Sequence, residues 1–200
     1  MKGEVCIKAV CPEDAEELLS IYAPYVLKTA ITFEYQVPTV KEFRERIIGT
    51  LKKYAYIKAL IDGETVGYAY AGVFHERPAY DWAVETTVYV KENCRKCGVG
   101  KKLYTALENC LKEQGILNMN ACIAYSEADD GYLDSNSLDF HNHIGYRTVG
   151  RFYKCGYKFS RWYDMVWAEK IIGEHKDNQP AVRAFTEALP DIRAKYNICM

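Results

Sequence analysis

The stretch CRKCGVGKK (94–102) supports two different chemistries, and the choice between them decides the fold. Cys94 and Cys97 form a C-x-x-C pair of the kind seen in metal sites and redox dithiols. The same letters carry Arg95, Lys96, Lys101 and Lys102, and they put Gly98 and Gly100 at the opening of a helical pattern. That combination describes a loop that wraps a phosphate.

The metal reading lacks ligands. Structural zinc takes a tetrahedral set, usually as two pairs, and the chain has no second C-x-x-C. His141 and His143 are neighbours but one on a helical segment, so they point apart; His75 and His175 are isolated. No metal is expected. The redox reading needs a C-x-x-C at a helix start, where a thiol pKa falls, and this loop provides one. Against it, the preceding strand lies late in the chain and carries an acid, and two glycines follow.

The phosphate reading uses more of the residues. A helix start offers unpaired N–H groups and a positive dipole end, and glycines let the backbone approach an anion closely. A tight turn alone accounts for Gly98. It leaves Gly100, which costs about 1 kcal/mol relative to Ala inside a helix, without a reason.

Outward from the loop, the chain alternates strand and helix patterns. EVCIKAV (4–10) alternates as a strand, and Pro12 opens a helix with acids in its first turn, which Pro24 is expected to bend or break. Thr39 and Glu42 form a capping box before a helix with Phe43, Ile47 and Ile48 on its apolar face. YAYIKAL (54–60) and TVGYAYAGVF (65–74) read as strands joined by an Asp62-Gly63 hairpin turn. A long strand, YDWAVETTVYV (80–90), leads into the loop, and 102–115 is a helix stopped by Gly115. NMNACIAY (118–125) is a strand, 135–146 a short helix ended by Gly145, and 147–171 two strands around Gly156. A linker at 174–180 precedes a last amphipathic helical segment. This order gives an α/β (α+β) chain with a mixed sheet.

The totals limit the partners. A net charge of −1 over 200 residues argues against nucleic acid, so any anion site must be built locally. No apolar run is long enough to cross a membrane and no signal-type stretch opens the chain, so a cytoplasmic protein is expected. The eight cysteines, at 6, 11, 94, 97, 110, 122, 155 and 199, mostly sit in apolar patterns and are expected to be buried structural thiols.

At this point the loop meets a family. R-K-C-G-V-G (95–100) resembles the Q/R-x-x-G-x-G/A loop of the GNAT superfamily of acyl-CoA N-acyltransferases, and the wider match is to its phosphinothricin acetyltransferases. ITFEYQVPT (31–39), YAYAG (68–72), AYDWAVETTVYV (79–90), LYTALE (103–108), HNHIGY (141–146) and the GYK and W-x-D pieces of 156–164 fall in matching order. The resemblance covers about residues 4–170 and leaves the tail without a counterpart. It implies a central mixed, mostly antiparallel twisted sheet flanked by helices, with an N-acetyltransferase domain at 1–172 and a helical extension at 173–200. It also implies acetyl-CoA as cosubstrate, a homodimer, and acetyl transfer to a small amino-acid-like amine of the phosphinothricin or methionine sulfoximine type.

Residue by residue, the resemblance makes Glu85 the general base, although mid-strand it also reads as an exposed-face acid. It ties His141 to catalysis, where pattern alone gives a helix-surface histidine. It assigns Val88, Tyr89 and Val90 to the pantetheine arm through their backbone, and Arg95, Lys96, Cys97, Gly98, Val99, Gly100 and Lys101 to the pyrophosphate. Asn136 contacts the CoA arm or caps its helix. Phe33 and Arg77 match acceptor-side positions, a core Phe and a surface Arg otherwise. Two departures stand out: Arg95-Lys96-Cys97 replaces a usual Gln-Arg-Leu, and the loop EADDGYLD (127–134) is longer and more acidic than the matching one. Other acceptors (a polyamine, an antibiotic amine, a protein N-terminus) and a CoA-binding module without turnover remain open, as does a ping-pong route through Cys94 or Cys97.

Overall fold

The computed structural model describes residues 3–196 and 198–199, with the side chain of Cys199 outside the description. Strands β1 (Val5–Ala9), β2 (Tyr56–Ile61), β3 (Glu64–Val73), β4 (Ala83–Val90), β5 (Asn118–Tyr125), β6 (Arg147–Lys158), β7 (Arg161–Ile171) and β8 (Ile198–Cys199) form one sheet in the order β6-β7-β5-β4-β3-β2-β1-β8. Among the described residues only the β4–β5 and β1–β8 pairings are parallel. Helices α1 (Ala15–Lys28) and α2 (Val40–Leu51) cover one face, and α3 (Val99–Gln114) and α5 (Phe185–Lys195) the other. The short α4 (Asn136–His143) stands beside the β4–β5 junction.

The local signals act as their chemistry requires. Thr39 and Glu42 close a reciprocal capping box on α2. Asp62 and Gly63 both take positive φ, 52° and 85°, as the tight hairpin needs. On α3, Val99, Leu103, Leu107 and Leu111 recur every four residues, and all are buried against the sheet.

Elsewhere tertiary context overrides the sequence pattern. Pro24 lies inside an unbroken α1. The hydrogen bond it removes would have gone to the carbonyl of Ser20, an exposed residue whose carbonyl is open to solvent. The strand expected from residue 80 starts at Ala83, because Pro78–Tyr80 forms a 3-10 turn. The β6–β7 hairpin turns at Phe159 and Ser160, with φ of 51° and 60°, and not at Gly156. Phe159 is held there by stacking on Tyr132, ring centroids 4.2 Å apart. Gly156 instead lies buried inside β6, where a Cβ would stand 2.3 Å from the Phe33 ring. The cysteines divide: Cys94 and Cys110 are buried, Cys122 half-buried, and Cys6, Cys11, Cys97 and Cys155 exposed. Alternation along β1 explains Cys6, since it sends Ile7 to the core and Cys6 outward.

The tail is more than helical. Phe185, Ala188 and Ile192 of α5 enter the same apolar core as α3, and β8 extends the sheet beyond β1. Trp82 Nε1 donates to Pro180 O at 2.8 Å, and Gln114 Nε2 bridges Lys53 O and Arg183 O.

Candidate active site

The site begins where two strands separate. β4 and β5 pair only at Ala83–Asn118, Val84–Met119 and Glu85–Asn120, and beyond Glu85 they diverge. Lys91 N donates to Val66 O, so the alternation of β4 turns the backbone of residues 86, 88 and 90 toward the gap. The Tyr25 hydroxyl takes up the Val90 groups, donating to Val90 O at 2.6 Å and accepting from Val90 N at 3.2 Å. Val88 is the residue of this edge left facing the gap. Tyr89 turns its backbone toward β3 and its ring into the aromatic cluster of α1 and α2.

Two cavities meet at this gap. One, of about 300 Å³, holds the 94–102 loop and includes Arg95, Lys96, Gly98, Gly100, Lys101 and Asn136 in its wall. The other, of about 350 Å³, lies under α1 and α2 and includes Phe33, Glu85 and Tyr89. Ile31, Val88, Ser137 and His141 belong to both walls.

The loop brings backbone donors and basic side chains together at the start of α3. Gly98 caps α3 with φ of 81°, a conformation that disfavours a side chain, and Lys96 also takes positive φ. The first intrahelical bond runs from Lys102 N to Gly98 O, so the N–H groups of residues 99–101 lack helical acceptors. Arg95 lies 4.8 Å above the Tyr25 ring, which fixes its guanidinium beside the cavity. Gly100 has a packing reason that the sequence did not reveal: a Cβ would come within 3.2 Å of Phe140 on α4. Val99 faces the core with its side chain, and Cys97 is exposed and outside the cavity wall. The buried Cys94 does line it, its thiol pKa raised by burial.

Glu85 occupies the crotch of the fork. It is the last β4 residue paired to β5, and its partner across β3 is Gly72, beside which a Cβ would meet nothing within 4 Å. Among the described residues its carboxylate has no hydrogen bond or ion pair, and burial raises its pKa above the usual range. The half-buried Cys122 lines the same cavity; burial first, then the Glu85 charge, pushes its thiol up to about 12.

His141 is buried, not on the helix surface as its pattern allows, because α4 turns it toward Tyr104 and Tyr146. Its Nδ1 lies 2.7 Å from Ser137 O; a carbonyl only accepts, so Nδ1 carries the proton. In the neutral ring Nε2 then accepts from the Tyr104 hydroxyl at 2.9 Å. Burial lowers the His141 pKa and favours this neutral form. Thr86 Oγ1 donates to Asn120 O and is bonded to Tyr146 OH at 2.9 Å, completing a polar chain behind the gap. Tyr104 and Tyr25 escaped sequence reasoning because each reads as an ordinary apolar helix position.

Asn136 is the first residue of α4 and does not cap it; its own N–H is capped by Asp134 Oδ1 at 3.1 Å. Phe33 reaches the second cavity, seated against Gly156 and Tyr163. Arg77 does not join the group: it is exposed, at the start of the Pro78–Tyr80 turn, and outside both walls. The acidic loop is tied down by Asp130, which accepts from Tyr132 N, Leu133 N and Tyr163 OH and pairs with Arg161. Among the described residues no group of three or more His, Cys, Asp or Glu is arranged to hold a metal, and no helix is long and apolar enough to cross a membrane.

Comparison with known proteins agrees with this geometry. The acetyltransferase (GNAT) domain family matches residues 7–167. A phosphinothricin N-acetyltransferase of Streptomyces coelicolor is 31% identical, over 84% of this chain and 96% of its own. An L-methionine sulfoximine/L-methionine sulfone acetyltransferase of Pseudomonas aeruginosa is 27% identical over 78% of this chain and 88% of its own. Among solved structures, a phosphinothricin acetyltransferase from Sinorhizobium meliloti in complex with AcCoA superposes with a TM-score of 0.80 at 28% identity, covering 88% of this chain and 93% of its own.

Proposed function

The chain belongs to the GNAT acetyltransferases, and we propose that it moves an acetyl group from acetyl-CoA to the amine of a small amino-acid-like acceptor, with Glu85 as general base. One observation carries the reading: an unpartnered, proton-avid carboxylate stands at the fork where the two cavities join. Acetyl-CoA supplies an activated acetyl thioester. The N–H groups at the start of α3, with Arg95, Lys96 and Lys101, hold its pyrophosphate. The Val88 backbone pairs the pantetheine amides as an added strand, and Asn136 flanks that arm.

Glu85 accepts a proton from the acceptor ammonium, directly or through water, and so frees the lone pair that attacks. The raised pKa suits it to that task. His141 and Tyr104 form a hydrogen-bonded polar pair beside the gap, and the departing thiolate takes its proton from solvent. A covalent route through Cys122 is disfavoured, because a thiol with pKa about 12 is almost wholly protonated near neutrality. The acceptor is of the phosphinothricin or methionine sulfoximine type by kinship, and residues 1–172 form the catalytic domain with 173–200 as its extension. The enzyme works as a cytoplasmic homodimer, which sedimentation of the purified chain tests.

The first experiment is calorimetric titration of acetyl-CoA into the wild type and into Lys96→Glu/Lys101→Glu. Micromolar binding, weakened at least about tenfold in the variant, is expected from two lost phosphate contacts. Release of CoA thiol is then followed over a panel of amines, with Glu85→Gln beside the wild type. Absence of acetyl-CoA binding in the wild type would falsify the proposal.

A further inference from the structure

Among the described residues the acceptor cavity has one cationic side chain in its wall, and it is not Arg77. Arg46 sits on α2 with Thr50 one turn on, while Phe43 and Ile47 of the neighbouring stripe fill the core. Helical spacing therefore turns Arg46 and Thr50 to the lip of the cavity. Glu34, from the loop that carries Phe33, accepts from Arg46 Nη1 at 2.7 Å. No other protein group is hydrogen-bonded to Arg46 among the described residues, so its Nε–Nη2 edge stays open. The aromatic floor between this pair and the fork is made by Tyr56, Tyr70 and Tyr22. Tyr70 lies within electrostatic reach of Glu85 at one end and of Arg46 and Glu34 at the other.

The charges discriminate between acceptor classes. Glu85 is the free carboxylate of the wall, whereas Glu34 is already engaged by Arg46. A polyamine would call for two free carboxylates. An amine that also carries an anionic group finds one acid and one open guanidinium edge. Guanidinium donors in a fork match carboxylate or phosphinate oxygens two at a time.

We propose that Arg46, held by Glu34, binds the anionic group of the acceptor and so sets both the substrate class and the direction in which its amine meets Glu85. This rests on the acetyltransferase reading above. The Arg46 side chain is half exposed, so the contact is partly screened and weakens with salt. Glu34 acts through Arg46 and is a positioning residue. The same ion pair also ties the 30–39 loop to α2, and the test must separate that structural part from recognition.

The experiment measures CoA thiol release with L-methionine sulfone and with its carboxamide as matched acceptors. It compares the wild type with Arg46→Gln, Arg46→Lys and the exchanged pair Glu34→Arg/Arg46→Glu. Arg46→Gln is expected to raise KM for the acid at least about tenfold more than for the amide, the loss of a charge-assisted contact, with kcat changing far less. Arg46→Lys, which keeps the charge but not the fork, falls between. The exchanged pair keeps the loop anchored, as its thermal midpoint reports, yet leaves the acid's KM high. Equal effects on acid and amide, or recovery of the acid's KM in the exchanged pair, overturn the inference. A wild type that acetylates the amide and ignores the acid overturns it too, while leaving the acetyltransferase reading intact. A wild type that binds acetyl-CoA and acetylates neither acceptor nor any amine of the panel removes the acetyltransferase reading and this inference together.

Discussion

Replacing Gly156 by Ala tests whether β6 builds the acceptor wall. The φ of Gly156 lies outside the left-handed region, so an Ala backbone is tolerated and only the added methyl matters. That Cβ would stand 2.3 Å from Cε2 and Cζ of Phe33 and 2.9 Å from Cδ2. Carbon atoms in contact prefer about 3.5–4.0 Å, so the ring must move away from Gly156 by roughly 1.2 Å or more, which reshapes the wall of the cavity it lines. Overpacking of this kind costs about 1–3 kcal/mol. The expected result in urea is a lower midpoint at unchanged slope, with acceptor KM raised about tenfold and acetyl-CoA affinity unchanged. The double-mutant cycle is sharper: on a Phe33→Ala background the ring is gone, and Gly156→Ala should cost under about 0.5 kcal/mol. A Gly156→Ala penalty that persists on that background, or a single variant indistinguishable from wild type in stability and KM, would refute the reasoning.

Three further residues carry testable outcomes. The acid limb of the kcat/KM–pH profile should lie above the ordinary carboxylate range, because burial raises the Glu85 pKa and catalysis needs the deprotonated form; Glu85→Gln should lower kcat by about 10²–10⁴. A raised carboxyl pKa favours the protonated folded state, so its stabilisation is lost as pH rises through that value, and Glu85→Gln should be slightly more stable than wild type at neutral pH by urea titration. Asp130 behaves oppositely: its hydrogen bonds from Tyr163, Tyr132, Leu133 and Arg161 outweigh the raising effect of burial and bring its pKa down to about 2. Its contribution of about 1–2 kcal/mol after screening is present above the unfolded value and lost as pH falls toward 2; Asp130→Asn should remove that acid dependence. Ile192→Ala should cost about 2–5 kcal/mol in one cooperative transition, since Ile192 is fully buried in the α3 core; two separate transitions would show that 173–200 folds apart.

What could be read from the letters was local. The capping box, the Asp62-Gly63 turn and the Gly98 start of α3 depend on residues within a few positions of one another, and each appears as expected. What the letters did not reveal depended on partners far along the chain. Gly156 looked like a turn because its true neighbour, Phe33, lies more than a hundred residues away. Gly100 looked like a phosphate signal alone, and its contact with Phe140 is invisible without α4. Arg46 reads as one more charge on an amphipathic helix until Glu34 and the tyrosines surround it. Arg77 shows the converse: its position in the sequence fitted an acceptor role, and its exposed place does not bring it to Glu85's cavity.

The parallel pairing of β1 with β8 has a consequence for biosynthesis. β1 leaves the ribosome before the rest of the sheet, yet its outer edge waits for Ile198, with nearly the whole described chain translated in between. During that interval a nascent β1–β2–β3 meander carries an open strand edge, the kind of template on which neighbouring chains pair. Lys8 sits on this edge strand, half-buried, while Lys58, its neighbour on the paired side, is held by Asp14 and Glu17. A lysine on an edge strand discourages a second meander from docking there before Ile198 is in place.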